Sequence, residues 1–281
     1  MIPDWETNCC YLSRLLPGRH PGLCRQLTDV LGTHGIPVRF LDGTRDIWAR
    51  DYCPIQVSPD RFVKFRYFPD YLRGKHEDLV TDDDTICRQL ADFGHCQRSD
   101  IILDGGNVVG AQGTAIVTDK VYRENAGRQR GQLRRDFGEA LEVTDCVLIP
   151  KEPYDRIGHA DGVVRFLSAG LVVMGNYSRV DAGYGRRLRQ VLQRAGLAVA
   201  ELPLFHEQES HGGIPSAVGN YVNFLRIGRL IIVPAYGVAE DDQACGTLEQ
   251  LCPGVRVVSL ACSELAREGG VLNCITWTIK T

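Results

Sequence analysis

The chain has no apolar run long enough to cross a bilayer, which excludes a helical membrane span. It has no excess of positive charge either. The 32 Lys and Arg residues against 35 Asp and Glu give a formal charge of −3, so no basic field exists to hold a polyanion, and nucleic acid is excluded as a partner. The opening MIPDWETNCC lacks both a basic n-region and an apolar h-region, so it does not read as a secretory signal. No C-x-x-C pair occurs among the eleven cysteines, whose number is odd and whose positions are scattered. Cys9 and Cys10 are adjacent, a geometry that suits neither ligation nor bridging. H-x-H and H-E-x-x-H clusters are missing too, so no metal or other cofactor is expected. Together these absences predict a reduced, cytoplasmic protein in which most cysteines act as small buried apolar side chains.

What is present is an ordinary globular composition, with 44% hydrophobic and 24% charged residues over 281 positions. That length allows one large domain or two small ones. Net charge says nothing about pockets, so an acidic cavity for a cation stays open, as does a homo-oligomer.

Patterning along the chain decides the architecture. PGLCRQLTDVLGTHG, DDTICRQLADFG, GQLRRDFGEAL, GYGRRLRQVLQRAG and AEDDQACGTLEQLCPG place apolar residues three or four apart, as amphipathic helices do. Each is followed by a short run, PVRFLD, DIILDGG, DCVLIP, AVAELPL or VRVVSL, that suits a buried strand. Between these units recur IWARDYCPIQVS, GGNVVGAQGTAIVT, GHADGVVRFLSAGLVVMG, AVGNYVNFLRIGRLIIVP and GGVLNCITWTIK, which alternate like hairpins with Gly-containing turns. Trp48, Gly106, Asp161, Asn220 and Cys274 mark equivalent points, at steps of 58, 55, 59 and 54 residues. A recurrence at that spacing predicts a repeat architecture. Each unit reads as hairpin, helix, strand. Five of them make a closed α/β propeller of ββαβ units, a single domain over residues 1–281 with its site at the central cavity.

Polar residues recur at the same phase of every unit. The first carries Trp48, Arg50 and Asp51; the second, Asp104 and Asn107; the third, His159, Asp161 and Arg165. The fourth carries Asn220 and Asn223, and the fifth Cys274. Lys- and Arg-dense stretches such as GRQRGQLRRDFG read as solvated helix faces.

In order, DIWARDYCP, ILDGGN, GHADGVVRF, GNYVNF and GGVLNCIT resemble the motif series of the guanidino-group-modifying enzymes, the pentein fold. The branch resembled is that of agmatine deiminase and the Porphyromonas-type peptidylarginine deiminases, and PDWET resembles the agmatine deiminase opening. The likeness covers essentially the whole chain. It implies a hydrolase that converts a guanidinium to a ureide and ammonia, with agmatine as the leading substrate and the arginine side chain of a peptide as the alternative. An amidinotransferase, or a catalytically silent binding protein, is the reading from another class.

The resemblance assigns Cys274 as nucleophile, His159 as acid and then base, and Asp104 as the carboxylate orienting that histidine. Asp51 and Asp161 match its guanidinium-binding carboxylates, as a planar cation with five N–H donors requires. Trp48, Arg165 and Asn223 are expected around the substrate. The sequence departs from the family at three places. Asn273 replaces a histidine before the nucleophile, Asp104 a glutamate before Gly-Gly, and RDYCP the usual R-D-T-G-P. These places neighbour the reacting centre and bear on substrate choice. The polar stretches DYLRGKHEDL and EQESHGGIPSAVG are candidate rim loops.

Overall fold

Five three-stranded sheets recur in the computed structural model, which describes residues 1–90, 94–207, 210–211 and 213–281. In four of them an antiparallel hairpin is followed by a helix that returns the chain to a third strand, parallel to the second. The first blade pairs Ile55–Ser58 with Arg61–Arg66 and then with His95–Ile102. The second pairs Val109–Ala111, Thr114–Thr118 and Asp145–Ile149. The third pairs Val164–Ser168, Leu171–Gly175 and Ala198–Leu202, and the fourth Leu225–Ile227, Leu230–Ala235 and Arg256–Ala261. The pseudo-fivefold α/β propeller is therefore the observed fold.

The fifth blade is assembled differently from the expected hairpin. GGVLNCITWTIK supplies only Thr276–Ile279, whose antiparallel partner is Cys9–Ser13, in register Cys9↔Ile279 to Leu12↔Thr276. Val38–Leu41 completes the sheet. The ring is thus closed by strands from opposite ends of the sequence, a pairing that local alternation cannot announce.

The helices bury the stripes their periodicity predicts. Pro21–Thr33 turns Cys24, Leu27 and Leu31 inward; Arg130–Leu141 turns Leu133, Phe137 and Leu141; Ala182–Arg194 turns Tyr184, Leu188 and Leu192. Asp181 caps the last of these by accepting from the Tyr184 N–H at 2.8 Å. The predicted helix DDTICRQLADFG is seen over Asp83–Gln89, and its residues 91–93 lie outside the described residues. The third strands were expected to be buried. They are only partly so, most clearly His95–Ile102, because each forms the outer edge of its sheet.

The expectation of wholly reduced cysteines fails at one pair. Cys87, on helix Asp83–Gln89, forms a disulfide with Cys96, on strand His95–Ile102. Folding the helix back along the strand brings their Cα atoms within 5.9 Å, a contact that the spacing C-x8-C does not signal. Of the nine free cysteines, seven are buried. Among the described residues, no helix is long and apolar enough to cross a membrane.

Segment 1–7 touches the first strand or hairpin turn of every blade. The Ile2 N–H donates to Gln56 O at 3.0 Å, and Gln112 Nε2 to Glu6 Oε1 at 2.9 Å. Arg165 Nη2 donates to Asp4 Oδ2 at 2.6 Å, Gly228 N to Asp4 O at 3.0 Å, and Lys280 Nζ to Glu6 Oε2 at 2.8 Å. The Arg226 guanidinium lies 5.1 Å over the Trp5 ring. Removing Asp4 leaves the buried Arg165 guanidinium without its counter-ion. Asp4→Ala is therefore expected to destabilise the fold by on the order of 3 kcal/mol, read as a lower urea midpoint. An unchanged midpoint would show that the segment is not a structural clasp.

Candidate active site

Four of the five blades are entered through a short turn that carries a polar residue of the expected set, and the fifth through the turn of Cys274. Helix Ala49–Tyr52 holds Asp51. Asp104 and His159 each immediately precede a 3-10 turn, Gly105–Asn107 and Ala160–Gly162, and Asp161 lies within the second. Irregular backbone needs partners, and neighbouring turns provide them. Arg50 N donates to Cys274 O at 3.0 Å, Asn273 N to Asn223 O at 3.1 Å, and Asn220 Nδ2 to Gly162 O at 3.0 Å. These bonds run between blades, so the site is held from around the ring.

Two glycines allow the close approach. A Cβ on Gly106 would lie 2.6 Å from Asp51 Oδ1 and 2.7 Å from His159 Nδ1. A Cβ on Gly270 would lie 2.6 Å from the Trp48 ring and 3.1 Å from Cys274 Cβ. Any side chain at either position would displace a functional group.

His159 is buried between two carboxylates. Its Nε2 lies 2.8 Å from Asp104 Oδ2 and its Nδ1 3.3 Å from Asp51 Oδ1. Burial opposes its charge, but the Asp51 charge and the hydrogen bonds to Asp104 and Asp51 prevail, and its pKa stands well above the ordinary imidazole value. Asp104 moves the other way. Burial would raise it, yet Lys120 and His159 hold the carboxyl well below the usual range. The shorter arm of aspartate still reaches the ring.

Cys274 sits where two anions oppose its ionisation. Burial, then the charges of Asp161 and Asp51, push its thiol well above the ordinary value. Its Sγ is 3.9 Å from Asp161 Oδ2, and its N–H donates to Asn223 Oδ1 at 3.3 Å. Asp161 is itself raised by burial and by Asp51, against the pull of His159 and of Asn273. Asn273 donates to Asp161 Oδ2 at 2.5 Å and accepts from Arg50 at 3.2 Å, so the residue that departs from the family pattern is a buried strut between two blades.

A cavity of about 350 Å³ brings together Trp48, Asp51, His159, Asp161, Asn223 and Cys274. Asp104 stands behind His159, fully buried. Arg165 is not on the wall, which corrects its expected place around the substrate. Its guanidinium is committed to Asp4 and to Phe224 O at 2.8 Å and stacks on the Phe224 ring. Both expected rim loops contribute, through Tyr71, Leu72, Lys75 and His76, and through Glu207 and Ile214 to Val218. Residues 208–209 and 212 of the second loop lie outside the described residues.

Sequence reasoning missed several groups here. Tyr71 donates to Asp51 Oδ2 at 3.4 Å and meets the His159 ring edge-on at 6.1 Å. Asp46 and Glu152 are buried carboxyls on the cavity wall. Burial, aided by Asp51 for the first and Asp155 for the second, pushes each up to about 7. Lys120 reaches Asp104 from behind. Asp46 stood within a quoted motif. The others lie in a loop, a strand end and a charged helix, with no spacing signal. Among the described residues, no group of three or more His, Cys, Asp or Glu is arranged to hold a metal.

Comparison with known proteins agrees with this geometry. Solved structures share the fold. The C. jejuni agmatine deiminase superposes with a TM-score of 0.82 at 18% identity, over 100% of this chain and 95% of that one. A dimethylarginine dimethylaminohydrolase adduct superposes with a TM-score of 0.62 at 13% identity, over 97% and 99%. The sequence profile of the Porphyromonas-type peptidyl-arginine deiminase family matches residues 24–279, and the chain belongs to that family. Among individual relatives, an agmatine deiminase of Stutzerimonas stutzeri is 28% identical over 273 residues, covering 82% of this chain and 73% of the relative. One from Pseudomonas aeruginosa is 27% identical over 281 residues, with the same coverages of 82% and 73%.

The opposed charges make a test that needs no turnover. Asp51→Asn removes an anion facing Cys274 and should lower the thiol pKa. Alkylation by neutral iodoacetamide at pH 8 is then expected to accelerate by about threefold to tenfold, while affinity for a guanidinium falls. Equal alkylation rates in the two proteins would separate Asp51 from the nucleophile's environment.

Proposed function

We propose that the chain, acting as one catalytic domain over residues 1–281, hydrolyses a guanidinium to a ureide and ammonia, with agmatine giving N-carbamoylputrescine. The observation that carries this reading is the placement of a cysteine, a doubly held histidine and two carboxylates around one cavity. The guanidinium lies between Asp51 and Asp161, whose oxygens accept its N–H groups. Its positive charge offsets the anions that raise the Cys274 thiol, so substrate binding favours release of the thiol proton to solvent and leaves the thiolate. The thiolate adds to the guanidinium carbon. The tetrahedral adduct then expels ammonia, which takes the proton of the His159 imidazolium from Nδ1, leaving an S-alkylthiouronium on Cys274. Neutral His159 next accepts a proton from water as the oxygen attacks the same carbon. Breaking the C–S bond releases the ureide and returns the thiol. Asp104 keeps Nε2 in place throughout, Trp48 packs beside the reacting group, and Asn223 anchors the Cys274 turn.

The wall favours a substrate tail that is a primary amine. Asp46 and Glu152 are buried carboxyls that an ammonium would complement, whereas the carboxylate of a free amino acid would add to the negative charge. This supports agmatine over free arginine. Membership of the peptidyl-arginine deiminase family keeps a peptidyl arginine as the second reading.

The test is a ureide and ammonia assay, without added amine acceptor, across agmatine, arginine and an arginine peptide. Agmatine is expected to give the highest kcat/KM. Cys274→Ala should lower turnover by roughly 10⁴ or more while the fold and agmatine binding persist. Activity above a few per cent in that variant, or turnover that requires an amine acceptor and releases no ammonia, would overturn the hydrolytic assignment.

A further inference from the structure

One oxygen of Asp104 accepts two charged donors. Oδ2 lies 2.8 Å from His159 Nε2 and 2.8 Å from Lys120 Nζ. Lys120 opens the short helix Lys120–Glu124, and its side chain has no solvent exposure. The ammonium also meets Glu124 Oε1 at 3.1 Å and Asp70 Oδ1 at 3.5 Å, and lies 5.1 Å over the Tyr71 ring. Asp104 Oδ1 and Glu124 Oε2 are buried without a hydrogen-bond partner among the described residues. Burying an ammonium and two carboxylates, with a third half-buried beside them, is unfavourable compared with an apolar side chain of the same volume, so packing alone does not explain a lysine here.

We infer that Lys120 is a positioning residue that sets, through Asp104, how tightly His159 holds its proton, and that Glu124 tempers this effect. The inference rests on the deiminase reading only for its kinetic consequence. His159 must be an acid when ammonia leaves and a base when water attacks. Asp51 and Asp104 together would fix it as an imidazolium, suited to the first task and unable to perform the second. A second cation on the same Asp104 oxygen reduces that carboxylate's hold on the ring. The groups facing the imidazole are Asp51, Asp104, Asp161 and Tyr71, with Lys120 behind Asp104. Those facing Lys120 are Asp104, Glu124, Tyr71 and Asp70, the last also paired with Arg123. Lys64, held on Asp83, adds a further positive charge toward Asp104. Glu124 is placed to modulate the pair, because burial and the Asp104 charge raise its pKa to about 7.

Two variants should act with opposite sign. Lys120→Met keeps the length and removes the charge, so the His159 pKa should rise by on the order of one unit. The acidic limb of the kcat profile, where turnover rises as His159 loses its proton, should move to higher pH by a similar amount. Glu124→Gln leaves more of the Lys120 charge acting on Asp104, and both readouts should move to lower pH. The pKa is followed by NMR titration of the His159 Cε1–H resonance in substrate-free protein, which needs no catalysis. Shifts of opposite sign in that titration sustain the coupling even if no guanidine is hydrolysed, in which case the deiminase reading alone fails. If Lys120→Met does not fold, the Glu124→Gln shift decides. A uniform loss of kcat or thermal stability in either variant, with the titration and the limb unmoved, would reduce Lys120 to a structural residue and overturn the inference.

Discussion

Crowding of like charge is the constraint on which this structure turns. Asp51, Asp104 and Asp161 are all buried around one imidazole. Carboxylates so placed repel one another and lose their hydration, and they persist only with positive partners or a proton. His159 pairs with Asp51 and Asp104, and Lys120 joins it on Asp104 from behind. Burial of Asp161 outweighs the charges of His159 and Arg165 and the amide of Asn273, and its pKa rises accordingly. The surplus of negative charge faces Cys274. A cationic, planar substrate is what this balance calls for, and in the proposed reaction the thiol would become a competent nucleophile when that cation arrives. Selectivity for a guanidinium and activation of the nucleophile are then one electrostatic event.

Holding those charges together requires a closed frame. No single blade supplies more than a few of the site groups, so each turn must be fixed relative to its neighbours by the ring. Closure joins Thr276–Ile279 to Cys9–Ser13, and the Trp277 indole N–H bonds Pro54 O in the first blade at 2.8 Å. Cys274 lies two residues before the closing strand, so its position depends on a pairing between the two ends of the sequence. Segment 1–7 adds a bond or ring contact to every blade. Arg165 belongs to this frame. An arginine inside a family motif looks like a substrate ligand, but its neighbours Asp4 and Phe224 make it a buried strut.

How much of this could be read from the sequence follows from what a local pattern encodes. The five units were legible because helix and strand periods alternate at a nearly constant step and polar residues return at the same phase. The cavity residues were legible for the same reason, since Asp51, His159, Asp161, Asn223 and Cys274 occupy equivalent turns. Contacts between phases were not. Lys120 lies in TDKVYREN, which resembles an exposed charged helix, and only the fold shows its ammonium against Asp104. Tyr71 enters from a loop whose composition suggested a rim and no particular contact. The Cys87–Cys96 bond joins a helix to a strand without a spacing signature. The split fifth blade escaped because its two inner strands are separated by nearly the whole chain.

The two nitrogens of His159 face different kinds of charge, and this separation bears on how one imidazole can serve both steps. Nδ1 points toward Asp51, on the cavity side, where a bound guanidinium would share the carboxylate. Nε2 points toward Asp104, whose surroundings of Lys120, Glu124 and Asp70 lie away from the substrate. The charge seen by Nδ1 therefore changes through the cycle, as cation, neutral ammonia and water succeed one another. The charge seen by Nε2 stays constant. In the proposed reaction, a cation that engages Asp51 would weaken its hold on the imidazolium and make His159 a better acid at the moment ammonia needs a proton. Departure of ammonia would then leave a neutral ring held at Nε2, with Nδ1 free to accept a proton from water. The fixed side keeps the ring in register, and the variable side lets its proton affinity follow the reaction.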